Sequence, residues 1–422
     1  MRWNSSIKAG ALQFVLFIGA IIAVLLMAFL LISHTHSYFD KKTEISINLF
    51  QAAEQALYLA FEKDKDLGDV MLPNNDENNI TVEVSRDRWG VFEKWTSKAT
   101  HQNQAFVRTV LAGAKKDPQK SALYLQDKQR PLIIAGGAKI TGDAYLPEQG
   151  IRPGNIAGQS YYRDQLLYGN QKQSTAELPI LDPGLLAHLQ SLMNSEALSQ
   201  EETIYLSPKQ EVKNSFQAPT KVISGASIRL EGVRLAGNVL IRAYERIIVE
   251  PNARLQDIIL VAPEIIIEDR VTGYFQAVAT ERITVGKNSL LGYPSALVVL
   301  NDLSAEAVDE KNTEPNIILD NGAEVRGLMV YLGSNKEQSP KPRIKISEKS
   351  RVLGEIYCSK SLELKGQVSG SVMTASFMAR ENGSIYQNHL FHGTINSSEL
   401  PASYAGLIFN TKSSKTIGKW LY

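Results

Sequence analysis

Cysteine is almost absent from this chain, with Cys358 as the only one among 422 residues. An intrachain disulfide is therefore impossible, and a zinc site built from several cysteines is excluded as well. An excess of either charge is also lacking, because 45 basic residues stand against 44 acidic ones. Without a strong electrostatic field, we expect no nucleic-acid partner.

Motifs that would carry catalysis are missing too. The sequence contains no Gly-x-x-x-x-Gly-Lys phosphate loop and no Gly-x-Ser-x-Gly nucleophile elbow. His34 with His36, and His389 with His392, are spaced closely enough to share a metal, but neither pair has an indicated third ligand. We therefore expect no cofactor, no metal site and no enzymatic activity.

A long apolar run stands near the N-terminus. From Ala9 to Ile32 no residue is charged, and only Gln13 is strongly polar. At ~1.5 Å per helical residue this run can cross ~30 Å of hydrocarbon. A cleaved secretory signal is the alternative, but its apolar region would be shorter, and no Ala-x-Ala-like site follows before Phe39. The run predicts a single-pass membrane protein held in the lipid bilayer.

The orientation follows from the flanking charges. Arg2 and Lys8 precede the apolar run, whereas the charges that follow it nearly cancel. The positive-inside rule then favours a cytoplasmic N-terminus, with the bulk of the chain periplasmic or extracellular.

The helix is expected to continue beyond the membrane, because small and apolar residues recur at helical spacing after it. No proline occurs before Pro73, so one helix from Ala9 to Lys63 is allowed. The recurring residues are Ile45, Leu49, Ala52, Ala56, Leu59 and Ala60.

This helix resembles that of a type IV minor pilin or pseudopilin. The run Lys8-Ala9-Gly10-Ala11-Leu12 is similar to a prepilin peptidase site, which implies cleavage after Gly10. The glutamate usual five residues after the cut would fall on Val15 and is missing. A plain signal anchor explains the same residues, so both interpretations stay open.

The second half of the chain repeats every six residues in two parallel registers, and three hexads make an 18-residue period. A three-sided parallel β-solenoid explains this spacing, since each side is a short strand with inward residues at i and i+2. The residues predicted to line the solenoid core are Ile247, Val249, Leu255, Val261, Ile265, Ile267, Val271, Ile283, Val285, Leu291, Leu297, Ile317, Leu319, Ile344, Ile346, Cys358, Leu362 and Leu364.

The repeat resembles the polymer-forming β-helix of bactofilins in its period and number of sides. An 18-residue period also suits hexapeptide acyltransferases, but these need a histidine, and none occurs between His188 and His389. The predicted fold is mainly β: a transmembrane helix, a small α/β or antiparallel region, and a β-solenoid with loop insertions.

The predicted divisions are a transmembrane and extended helix (1–65), a small sheet-containing region (66–130), a first solenoid fragment (131–162), an insertion with a short helix from Leu185 to Leu192 (163–220), the solenoid (221–378) and a C-terminal cap (379–422).

Two surfaces are candidates for interaction. Leu260, Val278, Val330 and Tyr357 are predicted to form an outward apolar ladder, covered either by the chain itself or by a second subunit. The candidate covers within the chain are residues 163–220, the sheet region and the C-terminal tail. The loops at 147–162, 301–316 and 333–343 leave the same edge of the solenoid, which either forms a binding face or merely tolerates insertion.

These observations leave three functional hypotheses. The first is an extracytoplasmic scaffold or tip subunit of a surface assembly, with a protein partner or self-association. The second is a glycan- or protein-binding module that uses the edge loops. The third is an enzyme acting on polysaccharide, which the lack of stacked carboxylates disfavours.

Overall fold

The structure is a computed structural model that describes residues 9–63, 67–70, 80–115, 121–194, 203–204, 206, 209–301, 314–333, 341–401, 403–411 and 413–421. Within these residues the α-helices are α1 (Ala9–Lys63) and α2 (Pro183–Met193), and a 3-10 turn covers Ser397–Glu399. The expectation of a mainly β chain with one long N-terminal helix, an antiparallel region and a parallel solenoid is confirmed.

The first strands are β1 (Leu67–Val70), β2 (Thr81–Trp89), β3 (Phe92–His101), β4 (Gln104–Lys115), β5 (Leu123–Leu125), β6 (Leu132–Ala135), β7 (Lys139–Thr141), β8 (Ala144–Leu146), β9 (Ile151–Pro153), β10 (Asn155–Ile156), β11 (Gln159–Ser160) and β12 (Gln171–Gln173). The middle strands are β13 (Thr203–Ile204), β14 (Glu211–Asn214), β15 (Lys221–Leu230), β16 (Arg234–Gly237), β17 (Val239–Val249), β18 (Arg254–Ile267), β19 (Thr272–Val285), β20 (Leu290–Leu300) and β21 (Ile317–Leu319). The last strands are β22 (Glu324–Leu332), β23 (Ile344–Ile346), β24 (Arg351–Leu364), β25 (Gln367–Glu381), β26 (Ser384–Gln387), β27 (His389–Phe391), β28 (Thr394–Asn396), β29 (Ala405–Gly406) and β30 (Lys415–Leu421).

The chain divides into two compact units. The described part of the first unit is 9–60, 67–70, 80–84 and 97–108, which contains nearly all of α1 and the strand β1. There β1 runs antiparallel to the start of β2, with Val70 opposite Val82. The second unit holds the remaining described residues, including the solenoid.

The solenoid of the second unit is built by parallel pairing of equivalent residues in successive coils. On the first side an isoleucine stands at the same place in five consecutive strands and a leucine follows in the sixth. Each of these side chains points into the dry interior, where burial contributes roughly 1.5–3 kcal/mol per residue. The ladder consists of Ile247, Ile265, Ile283, Ile317, Ile344 and Leu362.

The corner between the first and second sides is a repeated left-handed turn. The residue before the second side has positive φ in several coils, a conformation that costs roughly 1–2 kcal/mol for residues other than glycine. The residues are Gly232, Arg270, Asn288, Gly322 and Lys349, with φ from 55° to 74°.

Most residues predicted to face inward lie in the interior cluster of the solenoid. Val261 is the exception, because it belongs to the cluster on the outer surface, while its neighbour Leu260 points inward and pairs with Ala277. The cause is an irregularity at Asp257, which has φ of 60° and adds one residue at the corner. Because side chains alternate, a one-residue shift exchanges the two faces.

The order of coils along the solenoid differs from their order in the sequence. Leu123 of β5 pairs with Val372 of β25, and Ile140 of β7 pairs with Ile395 of β28. The fragment formed by β5 to β8 therefore stacks beyond the C-terminal coils, at the end of the column opposite to β13 and β14.

Candidate functional site

The first half of α1 is an exposed apolar rod. Its most hydrophobic 18-residue stretch has a mean hydropathy of 3.2, and none of that stretch is buried among the described residues. Met27 is 71% exposed and Val24 is 67% exposed. By length and composition this helix can cross a membrane once. Gly10, where cleavage is predicted, lies in the first described turn of this helix. A Cβ atom placed on its backbone would have no heavy atom within 4 Å.

The second half of α1 is buried along one stripe in the first unit. Leu49, Ala53 and Leu57 are 2% exposed or less. The Phe50 ring meets the Phe106 ring edge-on, with centroids 5.5 Å apart. The Arg108 guanidinium lies 4.4 Å from the Phe50 ring centroid. Aromatic and cation–π contacts therefore stabilise the position of the helix together with aliphatic packing.

The third side of the solenoid carries an apolar ladder on its outer surface. Consecutive parallel pairings align its members on successive strands. All are 6% exposed or less, and all belong to one hydrophobic cluster that is separate from the interior cluster. The ladder, which we call the outer ladder, consists of Val261, Val278, Val298, Val330 and Tyr357.

The prediction of an outward interaction face at Leu260, Val278, Val330 and Tyr357 therefore needs one correction and has one of its alternatives resolved. Leu260 lies inside the column, for the register reason given above. The other three residues are buried beneath segments of the same chain, so no apolar face is presented to solvent there. The alternative of intrachain cover is what the structure shows.

Helix α2 is one of the covering segments. Leu185, Leu189 and Leu192 lie on one face of the helix and share the hydrophobic cluster of the outer ladder. Asp182 caps the helix by accepting a hydrogen bond from the Leu185 amide at 2.8 Å. At the other end, Arg242 donates to the Asn194 carbonyl at 3.0 Å, which fixes the C-terminus of the helix on the solenoid.

Residues 400–401 and 403–410, which we call the C-terminal strap, form a second cover. The Tyr404 hydroxyl donates to the Gly327 carbonyl at 2.8 Å, and Glu355 accepts from the Leu407 amide at 2.8 Å. The Ala405 amide donates to the Tyr293 hydroxyl at 2.9 Å. Burial raises the pKa of Tyr293 to about 12, so this phenol stays neutral at physiological pH.

The strap belongs to the C-terminal tail, one of the three segments that the sequence offers as cover for the ladder. The strap residues Leu400, Tyr404 and Leu407 show no repeat that would match them to the third side. The signal for a cover was the apolar character of the outward positions, which left open which of the three candidate segments provides it.

The edge loops are only partly described. In the loop at 147–162, β10 and β11 form a small hairpin in which the Asn155 side chain donates to the Ser160 hydroxyl at 2.7 Å. Residues 302–313 and 334–340 of the other two loops lie outside the described residues.

Two other residues with reactive or metal-binding side chains, Cys358 and His392, have local environments that the structure describes. The Cys358 thiol is buried in the interior, and burial raises its pKa to about 12. Nδ1 of His392 accepts a hydrogen bond from the Gly137 amide at 3.2 Å. No group of three metal-binding side chains occurs in the part of the chain that the structure describes.

Comparisons with known proteins give little. No family model matches the chain, and no curated protein matches it. Among solved structures, the crystal structure of the competence-associated pilin ComZ from Thermus thermophilus matches with 10% sequence identity. The match covers 89% of this chain and 95% of that chain, at a TM-score of 0.17. A TM-score this low does not establish a shared fold.

Proposed function

We propose that this chain is a membrane-anchored, extracytoplasmic structural subunit of a pilin-like surface assembly. The observation that carries the proposal is the contrast within α1, a single helix of 55 residues. Its first half is exposed and apolar, whereas its second half carries one stripe that is buried in protein. Each exposed apolar Å² costs roughly 25 cal/mol in water, so the first half requires a lipid or protein environment.

Two environments are compatible with that requirement. A bilayer would hold the helix as a single-pass anchor, and packing against copies of the same helix would hold it in a filament. A minor or tip subunit uses both in succession. The proposal therefore names the bilayer and a protein partner or second copy, and it assigns no catalytic reaction to the chain.

The first experiment tests N-terminal processing. The full chain is co-produced with a prepilin peptidase, and the mature N-terminus is sequenced. Cleavage after Gly10 gives a protein that starts at Ala11, which supports the pilin-like version. Retention of Met1 removes that version and leaves a plain signal anchor.

Two glycines provide a matched pair of variants for this experiment. Neither Gly10 nor Gly19 has a heavy atom within 4 Å of a built Cβ, so valine is tolerated sterically at both. Gly10→Val should abolish processing, and Gly19→Val should leave it intact. Equal loss in both variants would mean that the effect is not specific to the cleavage position.

The second experiment tests the compartment. Protease is added to intact spheroplasts that contain the full chain. Degradation of the second unit supports an extracytoplasmic location. Protection until the membrane is permeabilised would place it in the cytoplasm and would overturn the proposal.

A further inference from the structure

The column of coils finishes, at the end opposite to β13 and β14, in a coil with three short sides. On the first side β9 pairs in parallel with β6, and on the third side β12 pairs in parallel with β8. On the second side a single bridge joins Tyr168 to Thr141. In the described part of the chain, β9 is the edge strand of its three-stranded sheet. Residues 150–174, which we call the end coil, are therefore the last coil at this end of the column.

The inward positions of the third side change character in the end coil. Parallel pairings align one inward residue from each of eight strands, all apolar and at most 1% exposed, and after them the exposed Gln171. The eight apolar residues are Leu260, Ala277, Leu297, Met329, Ile356, Val372, Leu123 and Ala144. The second inward position changes in the same way, from the buried Leu146 to the exposed Gln173. The end coil thus places two amides where a continuing column would need apolar side chains.

The outer edge of β9 lacks one of its hydrogen-bond donors. The Gly150 carbonyl accepts from the Leu132 amide of β6 at 2.9 Å, and the Gly154 amide donates to β6 at 2.8 Å. Because backbone groups alternate in direction along a strand, Pro153 directs its backbone away from β6. Proline has no N–H, so this position offers no donor to a further strand. Proline at such a position blocks pairing between sheet edges.

The segment between β9 and β12 is held against the column. Three of its side chains are half-buried and pack against the interior cluster, and they are Tyr161, Leu166 and Leu167. The Arg163 guanidinium donates to the Gly137 carbonyl from Nε at 3.1 Å and from Nη2 at 3.0 Å. The Gln171 amide lies against Gly150, where a Cβ placed on the backbone would be 3.1 Å from Nε2. These contacts fix the end coil as a cover of the interior.

We propose that the end coil is a built-in cap that prevents a second copy of this chain from stacking on this end of the column. Stacking would enclose Gln171 and Gln173 in a dry interior, where an amide without hydrogen-bond partners is costly. A stacked strand would also meet no donor at Pro153. Terminal repeats of solenoids need such a polar outer face for solubility. The inference rests on the proposed function, in which copies of the chain associate, and it assigns that association to α1 and not to the column.

Sedimentation velocity of the full chain in detergent micelles tests the cap. Association through α1 should weaken as the detergent-to-protein ratio is raised, because the helices are then diluted among more micelles. Stacking of columns takes place outside the micelle and should not respond to that ratio. Measurements in excess detergent therefore report on the column alone.

Two variants with similar substitutions locate the effect. The uncapped variant carries Pro153→Val, Gln171→Val and Gln173→Leu, which restore the missing donor and the apolar inward residues. The matched control adds apolar side chains to the same segment at exposed positions that do not pair with the column, through Gln159→Val, Ser160→Val and Gln165→Leu. Circular dichroism of each variant checks that the solenoid has formed.

In excess detergent the unmodified chain and the control should sediment as one chain per micelle, and the uncapped variant should associate at least about tenfold more strongly. Association of the unmodified chain that persists in excess detergent would overturn the proposal, and this arm needs no variant. An uncapped variant that stays monomeric with unchanged circular dichroism, or a control that associates equally, would also overturn it. Processing after Gly10 and protease accessibility do not depend on the cap, so the tests of the proposed function succeed or fail independently.

Discussion

The Lys415 ammonium lies 2.7 Å from a carboxylate oxygen of Glu93, and each of these side chains is only 3% exposed. The Trp95 indole donates to the same carboxylate at 2.8 Å, and the ammonium lies 5.1 Å from the Trp95 ring centroid. This pair joins β3 to β30 across most of the sequence. Removing Lys415 would leave the buried Glu93 carboxylate with only the Arg86 guanidinium, 3.6 Å away, as a counter-charge among the described residues.

We therefore predict that Lys415→Met lowers the free energy of unfolding by about 3–5 kcal/mol. Urea denaturation of the full chain in micelles, followed by tryptophan fluorescence, measures the change. Lys213→Met is the control, because Lys213 pairs with Glu211 at the surface and should contribute less than about 1 kcal/mol. Equal effects of the two substitutions would show that the Glu93–Lys415 pair is not specially stabilising.

Gly327, Gly354 and Gly370 stack at the corner between the second and third sides, where successive coils approach closely. Gly354 has φ of 155°, and a built Cβ would lie 1.8 Å from the Gly327 carbonyl oxygen. Since backbone cannot move aside as a flexible side chain can, Gly354→Ala should destabilise the solenoid by more than about 3 kcal/mol. Gly383→Ala is the control for positive φ without a close contact, because Gly383 has φ of 78° but no atom within 4 Å of a Cβ placed on its backbone, so this variant should cost only about 1–2 kcal/mol. A urea midpoint for Gly354→Ala equal to that of the control would contradict the close stacking.

The left-handed turn between the first and second sides predicts that two substitutions change the free energy of unfolding in opposite directions. Lys349 is exposed with φ of 61°, so Lys349→Gly should raise the free energy of unfolding by about 0.5–1 kcal/mol. Gly322 occupies the equivalent position in the preceding coil with φ of 74°, so Gly322→Ala should lower it by about 1–2 kcal/mol. Thermal unfolding of both variants measures the pair, and changes of the same sign would contradict a shared turn geometry.

The Cys358 thiol should be inert in the folded chain. Burial raises its pKa from 9.0 to about 12, so at pH 8 Ellman's reagent should react only after urea is added. In the unfolded chain the thiol ionises near pH 9, which stabilises that state while the folded state keeps its proton. The stability contribution is thus complete below pH 9 and declines as the pH rises toward 12.

Cys358→Ala isolates this contribution. The variant should show a shallower decline of the free energy of unfolding between pH 9 and pH 10 than the unmodified chain. A native thiol that reacts at pH 8 as fast as in urea would mean that the interior at Cys358 is open to solvent.

The periodic half of the fold is determined by local sequence. Ile247, Ile265 and Ile283 share a side because each coil returns the chain to the same place, and alternation along a strand decides which residues face inward. The apolar run and the helical spacing after it likewise sufficed for α1, since both are signals within a few turns of one helix.

Tertiary structure alone decided the rest, because the contacts involved lie far apart in sequence and follow no period. The extra residue at Asp257 exchanged the roles of Leu260 and Val261, although both are apolar and match either face. The stacking of Leu123 on Val372, and the cover of the outer ladder by α2 and the C-terminal strap, depend on which surfaces meet after the coils have formed. Burial of apolar area drives such docking without direction, so a sequence pattern shows that a face must be covered but not which segment covers it.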